Sequence, residues 1–340
     1  MPLLPYLHRV ASRENLPAHD AQQAMLAILD GTATSPQIAA FLVALKMKGE
    51  TSDEILGFAR AMRARAPRVP VPPDARPLID TCGTGGDGQG TFNISTLVAF
   101  VAAGAGVRVA KHGNRSLSGP CGSADLLEAL GVKVTLTPEQ AADCLAATGI
   151  AFLFAPALHP AMKHAQQARI DLKMRTAFNL LGPLTNPAGA TAQLVGAPSP
   201  AAADLMAKAL ACLGLQKGFV VHGSDGLDEI TTTGPTFVLE VSKGAIADHT
   251  LTPEDFGVPR ARPEDLKGAG VDENTSIAHA VLKGEPGPRR DIVLVNAAAA
   301  LVAAGVAPAF PDGVALAAQS LDSGAAREKL AALAAFTARL

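Results

Sequence analysis

Apolar positions in the N-terminal part of the chain recur at helical spacing. Ile38, Phe41, Leu42 and Leu45 share one face of a helix. Ser35 can cap it, Pro36 fits its first turn and Gly49 lies beyond its end. A second helix starts near Ser52. Asp53 and Glu54 stand in its first turn, where the helix dipole favours acids, and Ile55, Ala59 and Met62 form its stripe. These helices read as scaffold, with a subunit interface as the other use for such faces.

The pattern changes across residues 66–77, which hold Pro67, Pro70, Pro72, Pro73 and Pro77. Proline has no N–H to donate and cannot continue a helix, so this stretch is a linker. It divides a small helical domain, 1–72, from a larger domain, 73–340. Beyond it, Leu78-Ile79-Asp80 is a short strand that runs into a glycine-rich loop. An apolar helix over 96–105 and a strand over 107–110 follow. Helices over 124–130 and from Thr137-Pro138-Glu139, and strands over 150–154, 219–222 and 237–241, continue the series. Alternation of strand and helix predicts an α/β sheet. Ligands of such sheets sit outside the carboxyl ends of the strands, where the glycine-rich loops fall.

Composition narrows the functional classes. The 340 residues are 48% hydrophobic, enough for a sizeable core, and the formal net charge is −2. That balance gives no footprint for nucleic acid or an anionic membrane. Cys82, Cys121, Cys144 and Cys212 form no C-x-x-C pair and read as free thiols of a reducing cytosol. Met1-Pro2-Leu3-Leu4-Pro5 lacks the apolar run of a signal peptide, and residues 292–306 are too short and alanine-rich to span a bilayer. A cytoplasmic protein is expected.

Positive charge is therefore local, and it lies beside glycine. Cys82-Gly83-Thr84-Gly85-Gly86-Asp87-Gly88 and Lys111-His112-Gly113-Asn114-Arg115 flank the stretch Thr91-Phe92-Asn93-Ile94-Ser95-Thr96. Bare glycines let N–H groups approach an anion, hydroxyls add donors, and Lys111 and Arg115 add charge. The expected ligand carries several phosphates. Gly83, Gly85 and Gly88 satisfy G-x-G-x-x-G, but Gln89-Gly90 delays the helix and no acid occurs between Asp87 and Asp125. The dinucleotide fingerprint fails on both counts. Ser116, Ser118, Gly119, Gly122 and Ser123 suit a second phosphate cradle. His112 is open to a structural or a proton-transfer role. Asp228-Glu229, after Gly223-Ser224-Asp225-Gly226-Leu227, suits Mg²⁺ beside a polyphosphate, and suits a solvated acidic turn equally well. Arg169 and Arg175 can each fork onto a carboxylate, or be structural.

Taken together, GTGGDG with TFNIST, KHGNR, GSAD with LLEALG, RTAFNLLGPLTNP and HGSDGLDEI resemble the anthranilate phosphoribosyltransferase family of tryptophan biosynthesis. The resemblance runs over nearly the whole chain. It implies a nucleoside phosphorylase-like architecture, with a central mixed sheet flanked by helices. The small helical domain would be joined in space by roughly residues 162–186, in a homodimer. The implied reaction joins anthranilate to phosphoribosyl pyrophosphate (PRPP) and releases diphosphate. The donor would be held by Gly83, Gly86, Asp87, Thr91, Asn93, Ile94, Ser95 and Thr96. Lys111, His112, Gly113, Asn114, Arg115, Ser116, Leu117, Ser118, Gly119 and Ser123 would complete that site. Ser95, Asp228 and Glu229 would hold Mg²⁺, two ions per site. Anthranilate would touch Gly83, Asn114 and Arg169, with His112 and Pro183 lining its path. No covalent or acid–base residue is implied, since the amine is already nucleophilic. The chain departs from the family pattern at Gly119, where a second serine is common, and at Lys173, where glycine is usual. A pyrimidine nucleoside phosphorylase shares the fold but would not need the Asp228-Glu229 pair. A non-catalytic, nucleic-acid-binding paralogue would need a basic stripe that this chain lacks.

Overall fold

The computed structural model describes residues 2–72, 77–116 and 119–340. Leu117 and Ser118, two of the expected donor-site residues, lie outside the described residues. Four helices come first: α1 (Leu4–Ala11), α2 (Ala18–Leu29), α3 (Ser35–Lys48) and α4 (Ser52–Arg65). The cap of α3 is Thr34 rather than Ser35. The Thr34 hydroxyl accepts from the Gln37 N–H, while the Gln37 side chain accepts the Thr34 N–H at 3.0 Å. This reciprocal box satisfies two N–H groups where one serine would satisfy one. Thr51 and Glu54 repeat the device on α4. Glu54 is more than a dipole partner, because its buried carboxylate also accepts the Leu16 N–H and the Lys48 ammonium, each at 3.0 Å.

Seven strands follow: β1 (Leu78–Thr81), β2 (Arg108–Gly113), β3 (Ile150–Phe154), β4 (Ala192–Gly196), β5 (Lys217–Gly223), β6 (Thr236–Ser242) and β7 (Ala245–Leu251). They form one sheet in the order β3-β2-β1-β4-β5-β6-β7. Pairing is parallel from β3 to β5 and antiparallel from β5 to β7, so the sheet is mixed. The intervening and following helices are α5 (Ile94–Gly104), α6 (Ser123–Ala129), α7 (Pro138–Thr148), α8 (Ala155–Leu158), α9 (Lys163–Leu172), α10 (Phe178–Leu181), α11 (Pro200–Cys212), α12 (Val271–Leu282), α13 (Pro288–Ala303), α14 (Phe310–Asp322) and α15 (Ala325–Thr337). The architecture is thus a small N-terminal helical domain and an α/β domain.

Strands β4 and β7 were not legible from periodicity. β7 is an exposed edge without an apolar face, defined only by its pairing with β6. β2 also runs further than the sequence pattern predicts. Lys111, His112 and Gly113 pair with Phe152, Leu153 and Phe154, so the second loop begins only at Asn114.

Two apolar cores flank the sheet. Leu194, Phe219, Val221 and Val238 join the core that holds α5 and α13, while Val195, Val220, Leu239 and Val241 join the core of the N-terminal helices. Successive strand side chains point to opposite faces, which explains the alternation. The helical domain therefore reaches the sheet, with α11 packed against both α4 and β6. All four cysteines are free. Among the described residues, no helix is long and apolar enough to cross a membrane.

Candidate active site

The chain leaves β1 at Thr81 into a loop whose Gly85, Gly86, Gly88 and Gly90 all have left-handed φ, between +64° and +77°. Consecutive residues of that kind are within easy reach of glycine alone. Gly83 is required for another reason: a Cβ there would lie 2.3 Å from Asp228 Oδ2. A Cβ on Gly196, at the end of β4, would lie 1.7 Å from the Asp228 carbonyl. Two glycines thus clear the space for Asp228, and the Gly85 N–H donates to its carboxylate at 2.7 Å. The Thr84 N–H donates to the Gly196 carbonyl at 3.0 Å. On its far side the loop is tied by the Gly268 N–H to the Gly90 carbonyl at 2.9 Å, by the Lys267 ammonium on the Gln89 carbonyl, and by a bridge between Thr91 and Lys267. Asp87 accepts the Gln89 N–H at 3.0 Å.

The start of α5 lies beside this loop. Asn93 does not cap the helix. Its amide donates to the Cys121 carbonyl at 3.2 Å, and its own N–H donates to Asn274 of α12. Ile94 and Thr96 are buried, and the Thr96 hydroxyl has no partner among the described residues. Against the larger effects of burial and Asp228, the Ser95 backbone pulls the Glu229 carboxyl down slightly. The buried Lys111 ammonium donates to the Thr81 carbonyl at 2.6 Å and to Ser95 Oγ at 3.2 Å. Burial and the neighbouring charge of Asp87 push the Asp228 carboxyl up to about 6. Burial and Asp228 push Glu229 well above the carboxylate range, against the pull of Lys111. Asn296 of α13 holds both backbone groups of Ile230, at 2.9 and 2.8 Å, and so fixes the acidic pair from behind.

The second loop closes on α6. A Cβ on Gly113 would meet Ser123 Oγ at 2.4 Å and the Phe152 ring at 2.6 Å. The Asn114 carbonyl accepts the Ser123 hydroxyl at 3.0 Å, and its side chain accepts the Arg115 N–H at 2.7 Å. Ser116 Oγ accepts the Gly119 N–H at 2.7 Å. Arg115 is committed to Asp125 at 2.8 Å and Glu128 at 2.7 Å rather than presented as a free cation.

A third segment, 175–187, meets the first loop and strands β1 and β2. Three successive carbonyls are each held by a different element: Gly182 by His112 Nδ1 at 3.0 Å, Pro183 by Gln193 at 2.7 Å, and Leu184 by Arg63 at 2.7 Å. Asn186 donates to the fully buried Asp80 and to the Ala110 carbonyl, each at 2.8 Å. Asp80 also accepts the His112 N–H at 3.0 Å, so one carboxylate joins β1, β2 and this segment. His112 and His159 stand 5.1 Å apart, and burial pulls them down to about 3 and about 4. Arg169 is half-buried over the Phe178 ring at 5.3 Å, and no carboxylate of the described residues pairs with it. Arg175, the other candidate for a substrate carboxylate, instead holds the Gly86 and Gly85 carbonyls at 2.7 and 2.5 Å.

Asp228, Glu229 and Ser95 fit a Mg²⁺ ion. Among the described residues no three acids, histidines or cysteines converge on one point. Mg²⁺ does not require that, since it takes one or two carboxylates and completes its shell with water and phosphate. Two adjacent carboxyls, one raised by burial and Asp87 and the other by burial and Asp228, are a site a cation relieves.

Residues 75–327 match the glycosyl transferase family, a/b domain, and residues 4–66 match its helical bundle domain. Anthranilate phosphoribosyltransferase of Solibacter usitatus is 64% identical over 340 residues, 99% of each chain. That of Moorella thermoacetica is 56% identical over 330 residues, 97% of each. The chain belongs to the anthranilate phosphoribosyltransferase family. The crystal structure of the Thermus thermophilus enzyme superposes with a TM-score of 0.92 at 46% identity, covering 98% of this chain and 99% of that one. The Saccharomyces cerevisiae enzyme in complex with PRPP and Mg superposes at 0.91 with 29% identity, covering 99% and 98%. Members of this family are glycosyltransferases of tryptophan biosynthesis.

Reading the motifs missed the residues that hold them. Asp80, Asn186, Asn274 and Asn296 are buried polar side chains with partners far along the chain, and buried Gln193 reaches back to the Pro183 carbonyl. Buried polar groups need partners, and an amide or acid inside an apolar run was the one available signal.

Proposed function

We propose that this protein transfers the 5-phosphoribosyl group of PRPP to the amine of anthranilate, releasing diphosphate. The observation that carries this reading is the seating of Asp228 in the glycine loop, with the Gly85 N–H on its carboxylate at 2.7 Å and no room for a side chain at Gly83. It makes the anion loop and the acidic pair one site.

The donor lies between the two loops. Gly83, Gly86, Asp87 and Thr91 to Thr96 supply amides and hydroxyls on one side, and Lys111 to Ser116, Gly119 and Ser123 on the other. Arg115 contributes chiefly by ordering its loop on α6. Ser95, Asp228 and Glu229 would hold Mg²⁺, two ions per site, which would supply positive charge to offset that of the departing diphosphate. As the bond from the ribose to diphosphate breaks, the ribose gains cationic character and the leaving oxygen gains charge. Fixed amide donors stabilise that charge without reorganising. Arg169 pairs with the anthranilate carboxylate and, with Asn114 and Gly83, aims the amine at the ribose. His112 and Pro183 line the approach. The amine nitrogen is the nucleophile and sheds its proton after attack, so no covalent enzyme intermediate forms.

The domains divide at residues 72 and 73, with roughly 162–186 joining the helical part. The protein is cytoplasmic and a homodimer. Exposed Leu4, Met47 and Ile170 on α1, α3 and α9, which pack together, support a subunit contact there. The test is optical: anthranilate fluorescence falls when protein, PRPP and Mg²⁺ are all present. A signal unchanged by the complete mixture overturns the reading.

A further inference from the structure

We infer that Arg175 is a latch that orients the peptide groups of the glycine loop for the donor's diphosphate, an inference that rests on the function proposed above. Its guanidinium spans the Gly86 carbonyl at 2.7 Å and the Gly85 carbonyl at 2.5 Å. Both glycines are left-handed, with φ of +68° and +66°. In a trans peptide, the C=O of one residue and the N–H of the next point in opposite directions. Carbonyls of Gly85 and Gly86 fixed on Arg175 therefore turn the N–H groups of Gly86 and Asp87 away from it, side by side. Successive N–H groups so arranged make an anion-binding concavity.

The latch is needed because glycine does not hold a peptide plane by itself. Left-handed and right-handed backbone cost glycine nearly the same. A flipped plane would present carbonyl oxygens to the phosphates and repel them. The planar fork of arginine fits two adjacent acceptors, whereas an ammonium is a single point charge. The surroundings retain unused polar capacity. The hydroxyls of Thr84 and Thr176, each next in sequence to a latch residue, are buried without partners among the described residues.

The latch also links the two halves of the site. Arg169 lies in the last turn of α9 and Arg175 in the connection from α9 to α10, so one short segment carries the proposed acceptor arginine and the residue that shapes the donor loop. Arg175 is a positioning residue and does not touch the reacting atoms.

The test compares wild type, Arg175→Ala and Arg175→Lys by calorimetric titration with PRPP and Mg²⁺, by steady-state kinetics, and by hydrogen exchange without ligand. Arg175→Ala is expected to weaken PRPP about tenfold, the scale of one charge-assisted bond, with the anthranilate KM changed less than about twofold. Lysine should restore less than half of the loss. Loop amides between residues 85 and 90 should exchange faster in Arg175→Ala, with exchange in β1 and β2 unchanged. Unchanged PRPP affinity, a rise confined to the anthranilate KM, or full rescue by lysine each overturn the latch. Wild-type protein that fails to bind PRPP strikes the proposed function instead, and loop exchange unchanged in Arg175→Ala then overturns the latch independently.

Discussion

The two glycine-rich loops look alike in sequence and are held in opposite ways. The loop after β2 is closed by near neighbours: Ser123 on Asn114, Ser116 on Gly119, and Arg115 on Asp125 and Glu128, all within one short stretch of chain. The loop after β1 is closed from afar. Asp228 holds Gly85, Arg175 holds Gly85 and Gly86, and Lys267 holds Gln89. A loop closed mainly by near neighbours depends less on the rest of the fold, and among the described residues Asn93 at the start of α5 adds a distant hold, on Cys121. A loop closed from three distant segments reports on all of them, and this one joins the acidic pair, the acceptor-side segment and the C-terminal region.

The largest effect should come from removing the acidic anchor. Asp228→Ala with Glu229→Ala should lower kcat about 10²–10³-fold, the scale seen when a transition-state charge loses its partner. Circular dichroism should report an intact fold. Near-normal turnover at limiting Mg²⁺ would sink the metal assignment.

Arg169→Ala should leave both loops intact and act on the acceptor alone. We expect the anthranilate KM to rise about ten- to a hundredfold, with the PRPP KM nearly unchanged. A rise in the PRPP KM instead would place Arg169 on the donor.

Arg115→Ala sharpens the contrast. Its ion pairs are exposed and contribute little on their own. PRPP affinity should fall less than about threefold, well below the loss at Arg175. A loss equal to that at Arg175 would mean that the two loops depend equally on their arginines.

The base of the second loop can be probed with acid. Burial keeps His112 and His159 neutral in the folded protein, at about 3 and about 4, against 6.5 ordinarily. Between pH 6.5 and those values the unfolded chain binds the extra protons, so stability is present above pH 6.5 and is lost as pH falls. Each histidine contributes a slope of about 1.4 kcal/mol per pH unit in its window. Chemical denaturation of His159→Gln at several pH values should show a shallower slope below pH 6.5. An unaltered slope would mean that His159 is free to protonate in the fold.

The smallest effect is at Lys173, which ends α9 with φ of +46°. Lys173→Gly should stabilise the protein by about 0.5–1 kcal/mol, since glycine carries no Cβ into the left-handed region. A loss of stability on thermal melting would show that the lysine side chain outweighs the backbone strain.

Much of the site was legible because its chemistry is written in short motifs. Gly83, Gly86, Ser95, Lys111, Asp228 and Glu229 are expected at the site from motif chemistry and family resemblance, and the structure brings them around one loop. For Arg175 the sequence leaves a substrate carboxylate and a structural role both open, because it gives a guanidinium's chemistry but not its direction. Strand β7 and the extension of β2 were missed for a similar reason: each exists through its neighbour's hydrogen bonds.

What the sequence determined by itself was everything set by local rules. These are the apolar stripes of α3 and α4, the glycines that permit left-handed turns, and the strands with a clear apolar period. Only the tertiary structure decided which side chains close the first loop and that Asp80 ties three segments together. It also decided that Arg115 is occupied by carboxylates while Arg169, among the described residues, is not. Those outcomes depend on contacts between residues far apart in the chain or on directions that side chains take only once packed. Partners are chosen by packing and by the need to satisfy buried polar groups, neither of which leaves a periodic trace in the sequence.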